Sequence, residues 1–377
     1  MSKNYFLTRE KQFVECEVLE TTPFKRTVKF LEGEDKNKTK NVHPVGVAWG
    51  NMYPRLFSSL DKPKEPFVFK GRVILKKEYD QKLKNLIPEP KEGYRFQPFL
   101  AHVIDSINSN QAVLLSGGTG VGKTTHVSQL ASQINQPLLR INFNGETRMS
   151  DLIGKNQVIA GATVWCDGVL PMAMRNGYWL LLDELDFADP AVLSLLHPVI
   201  EDQPMLVLKE NQGEVVKPHP DFRLFATANS IGAMQERAAS YSGTNQMNEA
   251  FLDRWQVLLV DNLPEKEELK VIKSEVPGIK TRWAKKIVQF ANQARNKKLE
   301  ENYEFSGDNF STRKVLSWAK KTALLRSPIE GAKLSWLDKM NFSEQEVIIR
   351  ILETHFGKVK NKKLSLKTGR RGRPKKV

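Results

Sequence analysis

Residues 113–125, VLLSGGTGVGKTT, constrain this chain more than any other stretch. Val113, Leu114 and Leu115, with Ala112 before them, form a short apolar run that ends in a glycine-rich turn. Such a run predicts a strand buried on both faces of a parallel sheet. The residues that follow, HVSQLASQI, have the amphipathic spacing of a helix. Between strand and helix, Gly117, Gly122, Lys123 and Thr124 stand at the spacing of a phosphate-binding loop. Glycines let the backbone fold into a concave nest of N–H groups, and the helix N-terminus adds positive potential. Lys123 then reaches the β- and γ-phosphates of a nucleoside triphosphate, and the Thr124 hydroxyl ligates Mg²⁺. The expected binding residues are Gly117, Gly118, Thr119, Gly120, Val121, Gly122, Lys123, Thr124 and Thr125. An ordinary glycine-rich turn has no need of Lys and Thr at that register.

With 377 residues the chain is long enough for two or three domains. Its 40% hydrophobic and 27% charged residues fit a globular protein. No apolar run approaches the roughly 20 residues that span a bilayer, so no membrane association is expected. The start, MSKNYFLTREKQFVE, is too polar for a signal peptide. Two cysteines, Cys16 and Cys166, make no disulfide framework or metal cluster, and the expected location is the reducing cytoplasm. The six histidines are scattered, so the metal expected is the Mg²⁺ that accompanies the nucleotide.

Residues 1–90 have the texture of a β-rich module. FVECEVLE and RTVKFLE alternate apolar and polar residues, VGVAWG and FVFKGRVIL also predict strands, and polar Lys-rich turns separate them. Phe13, Val14 and Trp49 are read as core in preference to a binding face. A proline-containing linker, IPEPKEGYRFQPFL, leads into a helix near residues 97–108. Residues 95–263 then alternate strands (VLLSG, LLRINF, YWLLLDE, RLFATAN, QVLLVD) with helices, which predicts an α/β domain built on a parallel sheet. From Pro264 to residue 357 the pattern is helical, and 358–377 is a basic tail.

Three further signals accompany the loop. Tyr178–Glu184 is an apolar strand ending in two carboxylates, and strand C-termini in such sheets face the nucleotide crevice. Asp183 is placed to hold Mg²⁺ and Glu184 to polarise the attacking water. Phe222–Asn229 is another buried strand, whose Asn229 either contacts the γ-phosphate or caps a turn. Arg254, in FLDRW, is a candidate arginine finger, although a surface pairing with Asp253 would look the same. In FSTR, Ser311 is a plausible N-cap, and Arg313 is either a capping-turn arginine or a second contact to the γ-phosphate.

The ordered set of these motifs resembles the AAA+ ATPases. More narrowly it is similar to the MoxR and dynein-related group, and within that to the small subunit of aerobic cobaltochelatase (CobS-like). RMSDLIG at 148–154, DGVLP at 167–171, KPHPDFRLFATAN at 217–229 and YSGTNQMNEAFLDRW at 241–255 carry the likeness. It implies an AAA+ P-loop core with a small helical lid, ATP as substrate, and Mg²⁺. It assigns Walker A to Gly117–Thr124, Walker B to Asp183 and Glu184, sensor 1 to Asn229, a trans-acting finger to Arg254, and sensor 2 to Arg313. A trans-acting finger implies a ring, most often a hexamer. Insertions near 156–166 and 205–219 match the group, where such insertions engage partners, typically a protein with a von Willebrand A-type domain. Metal insertion into a corrin ring is not inherited, since nothing in the sequence resembles a tetrapyrrole site.

The tail departs from that pattern. Ten of the chain's net fifteen positive charges sit in residues 358–377, which hold no Asp or Glu. Arg371-Gly372-Arg373-Pro374 is the core of an AT-hook, an extended arginine segment suited to a narrow A·T-rich minor groove. A solubilising tail has the same composition. A motor acting on a protein partner is therefore the expected function, with a duplex-DNA-associated ATPase as the alternative.

Overall fold

The computed structural model describes residues 3–7, 13–21, 26–31, 36, 39–42, 56–59, 66–76, 81–144, 146–229, 247–296 and 310–357. The basic tail, the VGVAWG stretch, Trp49 and most of the 241–255 run's first half lie outside these residues. The chain divides into two compact units, Met1–Leu263 and Pro264–Val377.

The first unit opens with five strands: β1 (Lys3–Leu7), β2 (Phe13–Thr21), β3 (Arg26–Phe30), β4 (Thr39–Val42) and β5 (Leu56–Ser59). They form an antiparallel sheet in the order β4-β3-β2-β1-β5. A hairpin follows, β6 (Phe67–Phe69) and β7 (Arg72–Ile74), turned by Lys70 and Gly71, both with positive φ. The sequence reading assigns this hairpin to the N-terminal module; the structure moves it. Ile74, with Phe67 and Phe69 beside it, packs into the cluster that holds α1 (Leu100–Asn108) and β8 (Val113–Ser116). Arg72 pairs with Asp105 at 3.1 Å, and Asn108 donates to the Val73 carbonyl at 3.1 Å. The apolar run FVF fits either environment, and long-range packing decides between them.

Next come α2 (Lys123–Gln133), β9 (Leu138–Asn142), α3 (Met149–Ile153), β10 (Gly154–Ile159), β11 (Ala162–Asp167), α4 (Val169–Asn176) and β12 (Trp179–Asp183). After them are α5 (Pro190–Leu196), β13 (Leu206–Leu208), β14 (Glu214–Val216), β15 (Arg223–Ala228), α6 (Glu249–Leu252) and β16 (Gln256–Leu259). The five strands expected from the apolar runs make one parallel sheet in the order β16-β8-β15-β12-β9. Leu114 faces the cluster with Leu180, Leu182 and Phe251, while Val113 and Leu115 face the one with Ile104, Leu130 and Phe225. Each fully buried aliphatic side chain contributes about 1.5–3 kcal/mol. This is why the central strands carry no polar face.

Both insertions are hairpins: β10 with β11, and β13 with β14. Gly154 and Gly168 let the base of the first close, since a Cβ on either would meet backbone oxygen at 2.4 Å. Arg175 ties the two together, bonding Asp167 at 2.9 Å and Glu214 through two bonds at 2.7 and 2.8 Å. Val158, Ile159 and Val164 on one hairpin, and Val207 and Val215 on the other, are exposed.

The second unit is helical: α7 (Glu265–Glu275), α8 (Thr281–Arg295), α9 (Thr312–Leu325), α10 (Pro328–Ser335) and α11 (Phe342–Phe356). Phe290, Phe310, Trp318 and Trp336 interlock at its centre, with ring centroids 4.9–6.1 Å apart. The fully buried Glu268 accepts from Arg295 at 2.7 and 2.9 Å and from Thr312 at 2.9 Å. A buried carboxylate is tolerated only when paired and bonded in this way.

Candidate functional site

The loop after β8 threads through a gap that admits only glycine. A Cβ on Gly117 would lie 2.1 Å from the Val260 carbonyl oxygen. The Gly117 N–H donates to the Ala228 carbonyl at 3.2 Å, and the Val260 N–H donates to the Ser116 carbonyl at 2.7 Å. Gly120 (φ 74°) and Gly122 (φ 101°) take the left-handed conformation that turns the loop into α2. No side chain caps α2, so its first N–H groups are directed into the loop.

Lys123 is buried, and its Nζ donates to the Gly117 carbonyl (2.6 Å), the Gly118 carbonyl (3.0 Å) and Asn229 Oδ1 (3.0 Å). Asn229 follows β15, and its backbone N–H donates to the buried Asp186 at 3.0 Å. Asp183, at the end of β12, is the hub of the crevice. Its Oδ1 accepts from Thr124 Oγ1 at 2.7 Å and from the Thr227 hydroxyl, while its Oδ2 pairs with Arg140. A hydroxyl and a carboxylate side by side are hard oxygen donors that fit Mg²⁺, directly or through its water shell. Glu184 holds a left-handed backbone (φ 59°), with its N–H donating to Thr227 Oγ1 at 3.0 Å. Non-glycine residues are held there only when surroundings impose it. Lys123, Thr124, Asp183, Glu184 and Asn229 therefore converge at the C-terminal end of the sheet.

Arg254 does not join them. The N–H of Gln256 donates to the Ala112 carbonyl at 2.8 Å, which anchors this region to the start of β8. The phosphate loop leaves the other end of β8, about 13 Å of strand away. Arg254 bonds the Ala250 carbonyl and lies 3.4 Å from Glu201. It lines an open cavity of about 1470 Å³ with Asp253, Lys217 and His219. Arg313 belongs to the second unit, where it is exposed at the start of α9. Ser311 caps that helix, accepting from the Lys314 N–H at 3.4 Å, and Thr312 is fixed by Glu268.

Sequence reasoning missed Arg140, Thr227 and His126. His126, on α2, is buried among Tyr94, Phe96 and Phe99. Its Nε2 accepts from the Gln97 N–H at 3.2 Å. The ring proton therefore sits on Nδ1, which lies 2.9 Å from both the Gly122 carbonyl and the Tyr94 hydroxyl. Burial lowers the His126 pKa to about 4, with the Gly122 bond opposing the shift, and burial raises that of Tyr94. A neutral imidazole thus props the phosphate loop from behind. Its only trace in the sequence is a histidine where the helix expects an apolar residue.

Residues 112–255 match the family model of the AAA domain, dynein-related subfamily. The aerobic cobaltochelatase subunit CobS of a Sinorhizobium species is 31% identical over 256 residues, 66% of this chain and 76% of that protein. Midasin of Dictyostelium discoideum is 31% identical over 256 residues, which are 66% of this chain and 4% of midasin. The uncharacterized protein SH1500 of Staphylococcus haemolyticus is 28% identical across 92% of its length.

Proposed function

Since this chain belongs to the dynein-related AAA ATPases, we propose that it is a ring motor that hydrolyses ATP between neighbouring subunits and remodels a protein partner. The observation that carries this reading is the split site: five polar residues converge at one end of the sheet, and Arg254 stands at the other. Lys123 and the loop N–H groups bind the phosphates. Thr124 and Asp183 would hold the Mg²⁺, which when bound would supply charge neutralisation at the transferring phosphoryl group. Glu184 takes the proton of the attacking water, and Asn229, already bonded to Lys123, orients that water or the γ-phosphate. Arg254 acts on the nucleotide of the next subunit, so the active form is a ring, with six copies the expected number. Arg313 reports the state of the nucleotide to the helical unit.

The exposed valines and Ile159 of the two hairpins support engagement of a protein, and a von Willebrand A-type domain is the proposed partner. The cobaltochelatase activity of the CobS relative is not carried over. Glu184→Gln tests the reading: it is expected to bind ATP with near-normal affinity and to lose at least about 100-fold in turnover. Turnover within a few-fold of the unsubstituted protein would remove Glu184 as the base.

The Arg-Gly-Arg-Pro tail supports a second reading, association with duplex DNA. It predicts ATPase stimulation by A·T-rich duplex in the full chain and none in a chain ending at Gly357. Equal rates in both would reject it.

A further inference from the structure

The aspartate assigned to the metal is already partnered by a cation of the protein's own. Asp183 is almost fully buried, with its side chain 6% exposed, whereas the side chain of its ion-pair partner Arg140 is 53% exposed. The pair is therefore one-sided. The guanidinium can return to water at little cost, but the carboxylate cannot be left bare in the crevice. β9 places Arg140 for this. Leu139 and Ile141 turn toward one core cluster and Leu138 toward the other, so Arg140 shares the face of Leu138. That is the face covered by α2, whose Thr124 bonds the other oxygen of the same carboxylate. Strand register sets Arg140 opposite Leu181, two residues before Asp183, within reach of a long side chain.

We propose that Arg140 is a resident counter-cation of Asp183, holding the carboxylate in the nucleotide-free protein and yielding it to the metal when Mg²⁺ and nucleotide arrive. The inference rests on the assignment of Asp183 to the Mg²⁺ site. Arg140 and Mg²⁺ are both positive and share one small anion, so each weakens the hold of the other. Arg140 also masks the negative charge of Asp183 from the phosphates while no metal is present. Arg140 is thus a positioning residue that sets how strongly nucleotide binding depends on Mg²⁺. In the nucleotide-loaded state the freed guanidinium stands at the C-terminal end of β9, beside the crevice.

The test is ADP binding by calorimetry, in EDTA and across a Mg²⁺ titration, for the unsubstituted protein, Arg140→Gln and Arg140→Lys. Arg140→Gln is expected to bind ADP about tenfold more weakly in EDTA, because a carboxylate without its counter-charge then faces the phosphates. Affinity at saturating Mg²⁺ stays at or above that of the unsubstituted protein. The ratio of the two affinities rises about tenfold, and half-maximal binding needs less Mg²⁺. Arg140→Lys restores most of the ratio, which also controls for folding. An unchanged ratio, or equal weakening with and without Mg²⁺, overturns the proposal. An unsubstituted protein that binds no ADP would instead refute the nucleotide site itself, a distinct failure.

Discussion

His126 makes the phosphate loop sensitive to acid, and the size of the effect follows from its surroundings. In the folded protein Nε2 accepts the Gln97 N–H, so a second proton would break that bond and bury a charge among aromatic rings. Its pKa is about 4 when folded, against 6.5 for a free histidine. The unfolded chain therefore binds the proton first as pH falls. Stability from this group is complete above pH 6.5 and declines toward pH 4, at about 1.4 kcal/mol per unit. The shift corresponds to about 3 kcal/mol lost by pH 4. The assay is denaturant unfolding at half-unit steps from pH 4.5 to 7.5 for the unsubstituted protein and His126→Phe. Carboxylate titrations common to both cancel in the difference. His126→Phe is expected to be less stable at pH 7.5, having lost the Gln97 and Gly122 bonds, but to converge with the unsubstituted protein as pH falls. Parallel profiles across that range would refute a buried neutral imidazole.

Gly117→Ala forces a Cβ against the Val260 carbonyl. It is expected to cost about 1–3 kcal/mol in stability and to abolish ADP binding by calorimetry, and normal binding would contradict the described loop. Glu268→Ala leaves Arg295 buried beside an empty pocket, and should destabilise the helical unit by about 3–5 kcal/mol in thermal unfolding. A loss below about 1 kcal/mol would mean that this pair is solvated.

Much of the nucleotide unit is legible in the sequence because its central strands are buried on both faces. VLLS and WLLLD are apolar without interruption, and the polar residues that end them fall at the crevice. KNYFL, TKNV and LFSS, by contrast, are short and show neither a sustained apolar run nor a clear alternation, so the strands β1, β4 and β5 are not distinguishable from turns. FVFKGRVIL reads as strand material, but nothing local says that it folds into a hairpin or which core it joins. Lys123, Thr124, Asp183 and Glu184 are legible because phosphate and metal chemistry fixes residue type and spacing. Arg140, Thr227 and His126 act through partners 29 to 44 residues away in sequence, and only the folded sheet brings them together.

The central claim is that one subunit's phosphate loop works with the next subunit's Arg254. Lys123→Ala and Arg254→Ala proteins should each be inactive alone, the first for want of binding and the second for want of the finger. Mixed in one ring, an Arg254→Ala subunit offers an intact loop to a Lys123→Ala neighbour that offers an intact arginine. The steady-state ATPase rate of the mixture, with mixed rings verified by mass measurement, is predicted to recover to a readily measured fraction of the unsubstituted rate. Mixed rings that form and remain as inactive as their parents would contradict the account.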